Sequence, residues 1–116
     1  MVESIIKDRS FKFALLMIDL YKKLTDQKEY IISKQLLRSG TSIGANIREA
    51  LAAQSRRDFV HKMSIAAKEA QETNYWLELL AASKIVSLDY KVYVYESYEI
   101  IKILSKIIKT TTDSET

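Results

Sequence analysis

A chain of 116 residues without a single proline lacks the residue that most sharply breaks a helix, which favours long helices. Its two glycines, Gly40 and Gly44, do not serve as stops either. They lie four apart inside Gln35 to Phe59, a stretch with helical spacing throughout. Each costs a helix interior about 1 kcal/mol relative to alanine. Two glycines placed there permit another backbone to come close, so the segment reads as a contact helix.

Four segments have apolar residues recurring at three and four, the period of an amphipathic helix. The first runs from about Asp8 to Leu24, with Phe11, Ala14, Leu15, Ile18, Tyr21 and Leu24 expected inward. Asp26 to Glu29 is a polar break. The second runs from Ile31 to Gln54, with Ile32, Leu36, Ile43, Ile47 and Ala50 inward. Ser55 followed by Asp58 has the form of a capping box and starts a third helix reaching Lys84. Its stripe comprises Phe59, Met63, Ala66, Ala67, Ala70, Leu77 and Leu80. Ser87 to Asp89 signals a fourth helix, reaching Lys109, with Tyr98, Ile101, Leu104 and Ile108 inward. Residues 110–116 read as a frayed polar tail. Short links force consecutive helices antiparallel, so the expectation is an all-α, antiparallel up-down-up-down four-helix bundle, one domain over residues 1–116.

Several function classes are disfavoured. The chain has no cysteine, so it offers neither a disulfide nor a thiolate nucleophile, and a cytoplasmic location is expected. No apolar run at the start reads as a signal peptide, and none elsewhere approaches the roughly 20 residues of a membrane span. His61 is the sole histidine, so one chain cannot supply a histidine-rich metal site. No glycine-rich phosphate loop and no nucleophile–base pairing is visible. We expect no catalytic residue, no metal, no cofactor and no enzymatic activity.

The second helix carries the candidate contacts. Placed on a wheel, Leu37, Gly40, Gly44 and Leu51 fall to one side of its core stripe, and Ser42, Asn46, Glu49 and Ala53 to the other. Its back holds Thr41, Ala45, Arg48 and Ala52. Between Leu36 and Gln54 the only charges are Arg38, Arg48 and Glu49. A helix with one buried stripe usually carries many charges on its wet side. The expected oligomer interface is therefore Gly40, Gly44, Asn46 and Glu49. A polar network fixing helix register is the plainer reading of Asn46 and Glu49, with the partner of Glu49 coming from another helix or subunit.

Charge is unevenly placed. Residues 1–57 carry 11 Lys/Arg against 6 Asp/Glu, while residues 58–116 carry 7 against 9. Arg38, Arg56, Arg57 and Lys62 are the candidate nucleic-acid-binding residues; solvated arginines with local acidic partners are the plain alternative. Repetition around an oligomer axis would concentrate a modest charge into a strong one. Tyr90, Tyr93, Tyr95 and Tyr98, with Tyr75 and Trp76, read as packing or subunit contacts before base-stacking platforms.

Ser42-Ile43-x-x-Asn46-Ile47-x-Glu49 and the later Glu72-x-x-x-Trp76-Leu77, within a pattern running from about Lys7 to Lys109, resemble the bacterial four-helix-bundle family of proteins encoded in 23S ribosomal RNA intervening sequences. Accessory proteins of diversity-generating retroelements look like relatives. Many members carry a proline where this chain has Gly44. The resemblance implies an up-and-down bundle that assembles into a ring, commonly a pentamer, without enzymatic activity. In the retroelement relatives a basic ring binds nucleic acid and a reverse transcriptase. The function expected here is thus an oligomeric bundle, cytoplasmic and off the membrane, acting on RNA or DNA or as an accessory subunit. The alternative is a scaffold with a protein partner and no nucleic-acid role.

Overall fold

The structure, a computed structural model, describes residues 1–114. It contains α1 (Val2–Asp26), α2 (Ile32–Leu51), α3 (Arg56–Ser83) and α4 (Lys91–Asp113). The longest, α3, has 28 residues and spans about 42 Å at 1.5 Å per residue. The bundle measures 49 × 21 × 21 Å, so each helix runs most of its length. Links of residues 27–31, 52–55 and 84–90 are too short to carry the chain back along a helix, at about 3.5 Å per residue. Successive helices are therefore antiparallel. Close approaches agree: Gly44 lies by Ser10 but Gly40 by Met17, and Glu49 meets Lys62 whereas Ser39 meets Thr73. Helix contacts form a closed square, α1 with α2 and α4, and α3 with α2 and α4.

One core runs the length of the square. Its fully buried side chains include Ile6, Phe13, Met17, Leu20 and Leu24 of α1, Leu36, Ile43 and Ile47 of α2, Met63, Leu77 and Leu80 of α3, and Ile100 of α4. Each such burial contributes about 1.5–3 kcal/mol. The α2 and α3 stripes lie where the spacing puts them, with Ile32, Phe59 and Ala67 only partly buried against the core. Leu77 is fully buried and Trp76 packs at its edge.

Two stripes differ from expectation. On α1, Phe11, Leu15 and Ile18 face solvent, while the buried positions are Ile6, Ser10, Phe13, Met17, Leu20 and Leu24. The helix carries two apolar stripes about 140° apart, and the polar Ser10 conceals the phase of the buried one. On α4, Tyr98 is exposed, Ile101 and Ile108 are half-buried, and the core takes Tyr93, Ser97, Ile100, Leu104 and Ile107. Isoleucines stand in adjacent pairs there, so two phases compete. Buried Ser97 accepts a 2.9 Å hydrogen bond from the Asn74 side chain of α3, and that bond marks the buried phase.

Helix ends follow local chemistry. The Ser55 hydroxyl accepts from the Asp58 N–H at 3.0 Å, starting α3 as its cap pattern requires. Asp89 accepts from the Lys91 N–H at the start of α4. The α1 end is a Schellman arrangement: Glu29 N–H donates to the Leu24 carbonyl and Lys28 N–H to that of Thr25. Lys28 holds φ 66° there, and Lys84 holds φ 57° after α3. α1 begins at Val2, earlier than expected, and α4 continues to Asp113, so residues 110–113 are helical rather than frayed. The tail expectation for residues 115 and 116 lies outside the described residues.

Candidate nucleic-acid and subunit-contact surfaces

The glycines of α2 perform their close approach within the chain. Gly40 is buried, and a Cβ there would lie 2.4 Å from Met17 Cγ. At Gly44 a Cβ would meet Ser10 Oγ at 3.4 Å. At Gly40 the neighbour admitted is the Met17 side chain of α1, and at Gly44 it is the α1 backbone at Ser10, 3.5 Å away. In this chain they set the α1–α2 distance. Asn46 donates from Nδ2 to the Ser42 carbonyl at 2.9 Å, a bond inside its own helix. Glu49 is exposed and accepts from Lys62 Nζ at 2.9 Å, so its partner comes from α3. Asn46 and Glu49 do not share a partner.

The four basic candidates divide into two kinds. Arg38 donates from Nη1 to Glu69 at 3.2 Å and from Nη2 to Glu72, and also reaches Gln35. Glu72 in turn accepts from the Trp76 indole N–H at 2.9 Å. That indole bond, with the Arg38 guanidinium, holds the Glu72 carboxyl below its usual value although partial burial pushes the other way. Lys62 is held by Glu49, whose hydrogen bond raises the ammonium pKa. Arg56 and Arg57 are different. Both are exposed in the first turn of α3; Arg56 reaches only the Ser114 carbonyl, and Arg57 has no ion pair among the described residues.

Arg48 adds to these two, although sequence reasoning set it aside on the back of α2. It lies one turn from the end of that helix, exposed, with its guanidinium carbon 5.4 Å from the Phe11 ring centroid and no carboxylate partner among the described residues. Its signal was present in the sequence: no acidic residue stands three or four positions away.

A groove of about 700 Å³ between the start of α1 and the end of α4 is lined mainly by Met1, Val2, Ile5, Ile103 and Ile107. Among the described residues no three His, Asp or Glu side chains cluster for a metal ion, and His61 is exposed. Among the described residues no helix is long and apolar enough to cross a membrane.

Fold and surface together define an antiparallel, all-α four-helix bundle whose polar groups serve packing and surface contacts. The chain matches the 23S rRNA-intervening sequence protein family over residues 3–106 and belongs to that family. The 1.70 Å crystal structure of a protein of unknown function from the S23 ribosomal protein family of Bacteroides thetaiotaomicron VPI-5482 is similar, at 53% identity and a TM-score of 0.90. That similarity covers 94% of this chain and 99% of the other. No curated protein matches the chain.

Proposed function

We propose that this protein is a non-enzymatic, self-associating cytoplasmic bundle that binds nucleic acid through the basic α2–α3 end of each subunit. One observation carries the reading: Arg56 and Arg57 stand exposed at the start of α3 without a carboxylate partner among the described residues. Unpaired guanidiniums remain available for bidentate pairing with phosphate. Nothing on this end reads bases, so the binding is positional and largely independent of sequence. Repetition in a ring, with five copies the number supplied by the family resemblance, multiplies the contacts made at once.

A scaffold without a nucleic-acid role is the second reading. Its support is that Arg38 and Lys62 already satisfy their charge on Glu69, Glu72 and Glu49. The two readings separate on one double variant. Arg56→Gln with Arg57→Gln should weaken binding of mixed-sequence RNA and DNA alike, at least tenfold at low salt, while helicity and mass stay unchanged. Arg38→Gln should change binding less. Equal affinity for wild type and double variant would sink the first reading in favour of the scaffold.

A further inference from the structure

Phe11 stands in water beside a cation. Its side chain is 51% exposed on α1, and the Arg48 guanidinium carbon lies 5.4 Å from the ring centroid. The tyrosines of the α3–α4 side stand differently. Tyr98 donates its hydroxyl to Glu78 at 3.0 Å, and Glu78 has no cationic partner among the described residues. Tyr75, one turn before Glu78 on α3, lies in the field of the same carboxylate. A free carboxylate repels a polyanion. At Phe11 the neighbouring acids are already neutralised, Asp8 by Lys12 and Glu49 by Lys62. Arg48 has no carboxylate partner among the described residues, so its N–H donors remain open to phosphate.

Antiparallel packing carries this pair to the basic end of the bundle. Gly44 lies beside Ser10, so Arg48, one turn on, lies beside Phe11 near the end of α2. Glu49 meets Lys62 at that level. Arg57 and Arg56 precede Lys62 on α3 and lie about 8 Å farther out along the bundle axis, at 1.5 Å per residue. Three guanidiniums without a carboxylate partner among the described residues and one exposed phenyl ring therefore share an end. Arg48 and Phe11 are close enough for a single nucleotide to meet both, its phosphate on the cation and its base on the ring.

We propose that Phe11 and Arg48 hold a base and a phosphate of a single-stranded nucleic acid, RNA or DNA alike, and that a duplex does not make this contact. The same strand continues over Arg56 and Arg57. The inference rests on the nucleic-acid reading above and narrows its ligand. An unstacked base laid on the phenyl ring covers apolar surface that water otherwise meets. Every base has a π-face, so such a contact adds affinity without reading sequence. A duplex keeps its bases stacked inside and offers this end only its phosphates.

Fluorescence anisotropy on three probes tests this: a mixed-sequence single-stranded RNA, the same sequence as a perfect duplex, and an abasic strand of equal length. The wild type should bind the single strand about fivefold or more tighter than the abasic strand, which keeps the phosphates and lacks the bases. Phe11→Leu keeps an apolar side chain at an exposed position and removes the ring. It should weaken single-strand binding to the abasic level, leave duplex and abasic affinities unchanged, and keep the salt slope. Phe11→Tyr, which restores a ring, should bind like the wild type. Mass by light scattering and helicity by circular dichroism should be the same for all three proteins. Equal wild-type affinity for the single strand and the abasic strand would overturn the proposal and leave the phosphate reading standing. A Phe11→Leu protein that binds the single strand like wild type, or that loses affinity equally for the duplex, would overturn it as well. So would a changed mass in Phe11→Leu, which would give the ring to a contact between copies. No binding of any probe at low salt would remove the nucleic-acid reading and this inference together.

Discussion

Gly40 and Gly44 look alike in the sequence and face different environments. A methyl group at Gly40 would collide with the fully buried Met17, whose Cγ would be 2.4 Å away. Overpacking of this kind costs about 1–3 kcal/mol, against about 1 kcal/mol of helix propensity gained. Gly40→Ala should therefore lower stability by about 1–2 kcal/mol. At Gly44 the same methyl meets Ser10 Oγ at 3.4 Å, an ordinary contact, so Gly44→Ala should be neutral or slightly stabilising. Paired thermal melts separate these outcomes; equal effects would refute the distinction. Gly44→Leu should loosen α1 from α2, because Ser10 backbone atoms lie 3.5 and 3.6 Å from the position of its Cβ.

Glu29 is the residue whose role the sequence concealed most completely. It reads as one polar residue of a break, yet it is buried and accepts from the N–H groups of Ile31, Ile32 and Ser33, at 3.1, 3.0 and 2.6 Å. Those donors are unpaired first-turn groups of α2 and its approach, and a carboxylate there also answers the helix dipole. Burial pushes the Glu29 carboxyl up, but the three backbone N–H bonds and the Ser33 hydroxyl hold it net below its ordinary value. Its stabilisation is present above the unfolded-state pKa and is lost as pH falls through the lower folded value. Glu29→Gln should cost about 1–2 kcal/mol at neutral pH. The wild-type advantage should shrink below about pH 4. An advantage that persists undiminished in acid would contradict the assignment.

At the scale of the element, helices with a single apolar stripe were legible and helices with two were not. The cores of α2 and α3 follow directly from spacing, and Ser55 announces the start of α3. On α1 the exposed Phe11–Leu15–Ile18 stripe satisfies the same period as the buried one, and spacing alone cannot say which faces inward. On α4 the decisive residue is Ser97, a polar side chain in a core position that Asn74 satisfies. A hydrophobic tally counts it on the wrong side. Links posed a related difficulty. Left-handed caps are usually glycine, and here Lys28 and Lys84 occupy them, so no glycine in the sequence marks either position. The missing glycine costs stability: Lys28→Gly should raise it by about 0.5–1 kcal/mol, read from urea unfolding midpoints. A loss would show that the Lys28 side chain contributes more than its backbone strain takes away.

At the scale of the whole molecule, the candidate surfaces were legible as residue types and not as pairings. Basic residues were visible in the sequence; which of them are neutralised depends on side chains 31 to 34 positions away, as with Arg38 and its two glutamates. The exposed pair at the start of α3, with Arg48 near the end of α2, remains after those pairings are removed. The central claim is that phosphate contacts at this end, repeated across an assembled ring, bind nucleic acid. Its most direct test is the salt dependence of binding to a mixed-sequence single-stranded RNA, measured by fluorescence anisotropy on protein of known mass. Each neutralised phosphate contributes about 0.7 to the slope of log affinity against log salt for a single strand. The account predicts a linear fall with a slope of several contacts, and a shallower slope for the Arg56→Gln, Arg57→Gln protein. No binding at low salt, or the same slope for both proteins, would contradict it.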